Sequence, residues 1–289
     1  MDTCGAGLRT CSAGTFGDCV VPPSETPCEN VCGGGVQTCQ NHAWGECQVP
    51  PTVLACASKC GPGEQPCENG KLGPCDAPKP LPPVLLAIVR DFQDSHPDME
   101  REEGHSETGL VETKLGSDGK PVYARGAGGS LTTTGAVEFD QWYHDTPGIN
   151  LTTTVELPLV LSPRDERLYL FQSSAFFPID DELFGNQGRL HNFHFTLEAL
   201  GTFLYQGGER FRFTGDDDVF VFINDQLVID LGGLHVSETQ EVFLDGIAPK
   251  IGLSLGGTYP LHIFFAERKT FDSNFNIETS IEGLGECPR

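Results

Sequence analysis

Basic residues are scarce in this 289-residue chain: 18 Lys and Arg stand against 41 Asp and Glu, for a formal charge of -23. That balance excludes a surface built for nucleic acid or anionic lipid, since both need clustered Lys and Arg. Long apolar runs are missing too. The longest aliphatic stretch, Val84 to Val89, falls far short of the ~20 residues a membrane-spanning helix needs, so no membrane span is expected. After Cys75 the one cysteine is Cys287. Met1-Asp2-Thr3-Cys4 has neither a basic start nor an apolar core. No secretory leader is therefore legible, and the chain reads as a mature form or a fragment. No Gly-x-Ser-x-Gly elbow, zincin helix or phosphate loop occurs, and Gly126-Ala127-Gly128-Gly129 lacks the strand-to-helix setting of a phosphate binder. These absences point away from an enzyme.

What is present is uneven. Eleven of the 12 cysteines lie in the first eighty residues, at a period of 28. Cys4, Cys32 and Cys60 correspond, as do Cys11, Cys39 and Cys67, and Cys19, Cys47 and Cys75; Cys28 and Cys56 also match, with Val84 in the next slot. Each unit opens Cys-Gly-x-Gly, as in Cys32-Gly33-Gly34-Gly35 and Cys60-Gly61-Pro62-Gly63. Fixed self-similarity marks an array of small units. Regular cysteines in a core-poor segment read as a disulfide framework, which persists in oxidising, extracellular surroundings. Zinc sites use close pairs, whereas only His42 stands near these widely spaced thiols.

Grouped in fours, the cysteines form Cys4, Cys11, Cys19, Cys28; then Cys32, Cys39, Cys47, Cys56; then Cys60, Cys67, Cys75, with Cys287 completing the last set by pairing with Cys75. A rival frame opens units at Cys28 and Cys56. On this reading residues 1–76 are three repeats and the Pro-rich 77–83 a semi-stiff linker. Residues 84–283 are a second domain and 284–289 a tail carrying Cys287. The repeats resemble short Cys-Gly-x-Gly units of bacterial surface proteins, which act as spacers or stalks.

From residue 84 the pattern becomes short strands broken by Gly, Asn and Asp. Asn192 to Leu197 alternates Phe193, Phe195 and Leu197 with polar residues, the period of a half-buried strand. Phe211 and Phe213 alternate with Arg212 and Thr214, and Val219 to Ile223 is apolar on both faces. With Leu227 to Leu231 that last run forms a hairpin about Asn224-Asp225. Tyr259 to Phe265 and Phe275 to Ile281 are further strands. The expected class is all-β, an antiparallel β-sandwich preceded by small disulfide-rich repeats.

Several long segments carry a resemblance. They include His96-Pro97-Asp98, Leu115-Gly116-Ser117-Asp118-Gly119-Lys120-Pro121, Phe176-Phe177-Pro178-Ile179-Asp180 and His191-Asn192-Phe193-His194-Phe195-Thr196. Phe213-Thr214-Gly215-Asp216-Asp217-Asp218-Val219, Asp230-Leu231-Gly232-Gly233-Leu234-His235, Phe265-Ala266-Glu267-Arg268 and Ser273-Asn274-Phe275 complete the set. Together they resemble the fibro-slime domain of bacterial secreted proteins, over residues 84–283. That domain is similar to the sugar-binding β-sandwich first named from anthrax protective antigen. The resemblance implies glycan binding without chemistry.

Asp216-Asp217-Asp218 is the sharpest local feature. Adjacent carboxylates repel unless a cation screens them, and oxygen-rich loops suit Ca²⁺. Neighbouring side chains on a regular strand point to opposite faces, so two adjacent Asp on one ion require irregular backbone. The resemblance implies a cis peptide there, places the family's pair on Asp216 and Asp217, and puts Asp218 where a small residue is usual. It also implies completion by an Asn, for which Asn274 is the candidate and Asp272 the weaker one. The same Asp216, Asp217 and Asn274 would present Ca²⁺ to a glycan. His191 and His194, three apart, read as structural, and Glu267-Arg268 as a structural ion pair. Trp142-Tyr143 suits either a sugar platform or a core. The expected function is a secreted or cell-surface, bacterial, calcium-dependent carbohydrate-binding adhesion module on a disulfide-rich stalk. The alternative is a subunit self-associating into an extracellular fibre or sheath, its calcium purely structural.

Overall fold

A computed structural model describes residues 11–16, 24–40, 43–58, 60–78, 83–102, 104–165, 167–270 and 272–281. Two compact units divide the chain, the cysteine-rich one running to Lys79 and the second from Pro80 to Glu286.

In the first unit, Ser24–Asn30 pairs with Gly33–Gln40 and then Ala43–Trp44, while Thr52–Ser58 pairs with Gly61–Glu68 and then Lys71–Leu72. The second register copies the first at an offset of 28: Ser24 faces Cys39 and Thr52 faces Cys67. The glycines of Cys-Gly-x-Gly have separate causes. Gly33 and Gly61 turn the hairpins at φ of +121° and +143°, where a side chain is strained. At Gly35 and Gly63 a Cβ would meet Gln48 O and Ala77 N, each at 2.3 Å.

Disulfides join Cys28 to Cys47 and Cys56 to Cys75 inside each hairpin unit, and Cys32 to Cys67 between them. Cys39 and Cys60 are also disulfide-bonded. This corrects the sets of four. Cys28 belongs with the cysteines that follow it, and Cys75 is taken by Cys56 rather than Cys287. In each unit the chain returns along the second strand, Gln48 beside Val36 and Asp76 beside Glu64, which brings Cys47 and Cys75 within reach of the neighbouring first strand. Full pairing of the twelve is corrected as well, since Cys11 is free and exposed. Cys4, Cys19 and Cys287, with most of the Pro-rich segment and the 284–289 tail, lie outside the described residues.

The second unit is an antiparallel β-sandwich. Its six-stranded sheet runs in the order Asn150–Pro158, Val84–Phe92, Phe195–Leu204, Thr258–Glu267, Asp218–Ile223, Gln226–Leu231. Its five-stranded sheet runs Val160–Leu161, Tyr169–Ser173, Phe275–Thr279, Arg210–Gly215, Glu238–Phe243. Between the sheets lie Val89, Phe195, Leu197, Phe213, Val219, Val221, Phe265 and Phe275, each fully or almost fully buried. Burying an aromatic or branched side chain of this kind contributes roughly 1.5–3 kcal/mol, so this layer is the main source of stability.

The six-stranded sheet is covered on its other face as well. The eight-residue helix Ala136–Tyr143 packs Phe139, Trp142 and Tyr143 onto Phe220, Phe222 and Phe264. That cover explains two departures from the sequence pattern. Asn192 to Leu197 is buried throughout rather than half-buried, with Thr196 Oγ1 donating to Trp142 O. Trp142 and Tyr143 are core residues at 0% and 1% exposure, not a sugar platform. The hairpin between Asp218–Ile223 and Gln226–Leu231 turns at Asn224 and Asp225, with φ of +50° and +59°. Positive φ at both central residues is the two-residue turn that matches strand twist.

Candidate functional site

The chain leaves the five-stranded sheet at Gly215 and enters the six-stranded sheet at Asp218, so Asp216 and Asp217 form the crossing between layers. Irregular backbone is therefore demanded by topology. It takes the form of a left-handed Asp217, φ +56°, and no cis peptide occurs among the described residues. The cis bond implied by resemblance is thus replaced by a single positive φ, which also redirects neighbouring side chains.

Each Asp of the triplet has its own task. Asp218, 0% exposed, is a strut: its Oδ2 accepts from Arg268 Nε at 2.7 Å and its Oδ1 from Gly233 N at 2.7 Å. Arg268 Nη2 lies 2.5 Å from the same Oδ2 as an ion pair without hydrogen-bond alignment. The guanidinium further donates through Nη1 to Asp98 O and Thr132 O and sits 4.5 Å over the Trp142 ring. Gly233 is required here, because its φ is +109° and a Cβ would meet His105 O at 2.1 Å.

Asp217 Oδ2 accepts from the Arg268 backbone N–H at 2.8 Å. Asp216 accepts from Asn274 twice, from the backbone N–H at 2.6 Å and from Nδ2 at 2.7 Å. Asp216, Asp217 and Asn274 thus lie side by side. They line a cavity of about 150 Å³ with Glu267, Asp272, Lys269, His235, Val236 and Ser237. Asp272 is exposed at its rim.

Glu267 was read as the partner of Arg268, and the structure corrects this. Successive residues of an extended strand point to opposite faces. Arg268 goes to the Asp98 and Trp142 side, while Glu267 stays on the cavity side at 1% exposure with its Oε2 unpartnered. Nor does Lys269 neutralise the cavity, since its Nζ lies 3.4 Å from Glu100 Oε2. Burial, then repulsion from Asp217 and Asp216, pushes the Glu267 carboxyl well above the usual range. Burial raises Asp216 too, and pushes Asp217 up to about 7 against the pull of Arg268. Among the described residues, no three His, Cys, Asp or Glu side chains stand at metal-ligating spacing. The arrangement is an acidic, oxygen-lined recess held on a rigid corner.

The histidines serve elsewhere. His191 Nδ1 pairs with Asp180 Oδ2 at 2.6 Å and His194 Nε2 with Glu100 Oε1 at 2.8 Å, each with its own carboxylate. Both precede the Phe195–Leu204 strand rather than lying on it.

The PA14 domain model matches residues 180–285, the segment that holds the whole cavity. Protein psiQ of Dictyostelium discoideum is 40% identical over 214 residues, covering 68% of this chain and 20% of that protein. Protein psiR of the same organism is 38% identical over 221 residues, covering 71% and 22%. The chain therefore spans about a fifth of the length of these relatives. The expected bacterial source finds no support in them. Among solved structures, the PA14 sugar-binding domain from an RTX adhesin is similar at a TM-score of 0.30 and 12% identity, covering 72% of this chain and 96% of that one.

Proposed function

We propose that this chain is an extracellular or cell-surface carbohydrate-binding adhesion module. It holds Ca²⁺ at Asp216, Asp217 and Asn274, with Asp272 at the rim, and is carried on its disulfide-rich repeats as on a stalk. The observation that carries the reading is the cavity at the sheet crossing, where two buried adjacent aspartates and Asn274 share one recess with an unpartnered carboxylate oxygen.

The donor set fits the ion. Of the lining side chains, Asp216, Asp217, Ser237, Glu267, Asp272 and Asn274 offer oxygen against one imidazole, His235, and one ammonium, Lys269, a balance that favours a hard cation over zinc or copper. Asp216 and Asp217 spend only some of their lone pairs on the protein N–H groups, so oxygens remain for an ion. Bound calcium would supply an open coordination position that sugar hydroxyls can enter in place of water. The chain's own part is to fix the corner through Arg268 and Gly233. The disulfides support an oxidising location.

A glycan array probed with the full chain, in calcium and again in EDTA, tests the proposal. Binding to a defined glycan class that vanishes in EDTA is expected. Binding that survives the chelator, or no binding to any glycan, defeats it.

A further inference from the structure

We infer that Glu267 is an inner ligand of the cation site, lining the cavity beside Asp217. The inference rests on the calcium reading above and adds to it a residue that neither the triplet nor its spacing indicates.

Two independent observations converge on Glu267. The first is placement. It is the last residue of the Thr258–Glu267 strand, on the same face as Phe265, and it lines the cavity with Asp216, Asp217 and Asn274. The second is an unmet requirement. The residue is 1% exposed, yet Oε2 has no hydrogen-bond partner. A buried carboxylate oxygen without a donor is strongly disfavoured, by several times the usual loss of a neutral hydrogen bond. The adjacent Arg268 is turned to the far side of the strand by the alternation of side chains, and Lys269, which also lines the cavity, has its Nζ 3.4 Å from Glu100 Oε2. The side-chain hydrogen bonds of Glu267 run to Ser273 and Asp217, and none of them reaches Oε2.

A divalent cation satisfies that oxygen together with those of Asp216 and Asp217, and relieves the repulsion among the three. With Glu267 in the set, three carboxylates and the Asn274 amide give an anionic site. That charge favours a divalent ion over Na⁺ or K⁺, because calcium affinity rises with ligand charge.

Calorimetric titration of Ca²⁺ into the full chain, stripped of metal, tests this with Glu267→Gln. The amide keeps the shape and removes the charge. The variant is expected to bind calcium about tenfold more weakly or worse, while its melting temperature in chelator does not fall. Unchanged affinity with a lowered melting temperature means a merely structural carboxylate and overturns the inference. A wild-type chain that takes up no calcium overturns the calcium reading itself, and this inference with it. Should Glu267→Gln fail to fold, a crystal structure of the wild-type chain grown with calcium decides. A Glu267 oxygen within about 2.6 Å of the ion supports the assignment, and an ion seated on Asp216 and Asp217 with Glu267 outside coordination distance overturns it.

Discussion

Replacing Arg268 by Met tests whether the corner that carries the acidic cavity is held by one buried cation. The substitution keeps an unbranched chain of similar length at a position that is 0% exposed. It removes the donor to Asp218 Oδ2 at 2.7 Å, the donors to Asp98 O and Thr132 O, and the cation 4.5 Å over Trp142. Asp218 would keep only the Gly233 N–H. Breaking a buried pair by deleting one partner costs about 3–5 kcal/mol, because the other charge is stranded. The lost carbonyl donors and ring contact overlap with that figure, so about 4 kcal/mol is the expected total. For a unit of roughly 150–250 residues this lowers the melting temperature by about 8–16 °C. Urea unfolding followed by Trp142 fluorescence reads it, with Trp44→Phe to silence the only other tryptophan. Asp218→Asn on top of Arg268→Met should restore part of the loss, since it removes the stranded charge. A loss below about 1 kcal/mol, the scale of an ordinary surface change, would show that the network does not hold the corner.

In the full chain, EDTA should lower the melting temperature, because a ligand at a hundredfold excess over its Kd stabilises by about 2.7 kcal/mol; Asp217→Asn should abolish that response in a calorimetric scan. Asp91 is held up to about 6, by burial first, and Asp217 up to about 7. Acids with raised folded pKa values stabilise below their unfolded values and lose that contribution as pH rises through the folded ones, whereas His96, His194 and His262, lowered by burial, act in the opposite sense. The difference in melting temperature between pH 5 and pH 8 of the calcium-free chain should therefore shift in Asp91→Asn toward higher relative stability at pH 8. An unshifted difference in that variant would refute the assignment. Replacing Cys32 and Cys67 by Ser opens a span of 35 residues, and should destabilise the repeat unit by about 4 kcal/mol on a loop-entropy estimate while leaving the melting of the sandwich unchanged. Non-reducing peptide mapping should return the Cys28–Cys47, Cys32–Cys67 and Cys56–Cys75 pairs.

Much of the architecture was legible along the chain because it is local. The hairpin at Asn224-Asp225 needs only two residues that accept positive φ between apolar runs. Phe211 and Phe213 announce a strand with one buried face by simple alternation, and both are fully buried. The 28-residue period carries over directly into two hairpins of the same register. Asp216, Asp217 and Asn274 could be named together only through resemblance, since they are brought side by side by a contact 58 residues long. Adjacency in sequence suggests a Glu267–Arg268 ion pair, but a strand sends neighbours to opposite faces.

Sequence alone thus determined the all-β class of the second unit and the acidity of the corner. Each of these follows from composition or short-range periodicity, which do not depend on distant partners. Tertiary structure decided which cysteines bond, because the pairing depends on where each hairpin's third stretch returns. It decided that Trp142 and Tyr143 are core, because only packing of their helix on the second face of the sheet buries them. And it decided that the three aspartates divide into one strut and two cavity-lining carboxylates, since the chain changes sheets between Gly215 and Asp218 and the left-handed turn at Asp217 sets where each side chain goes.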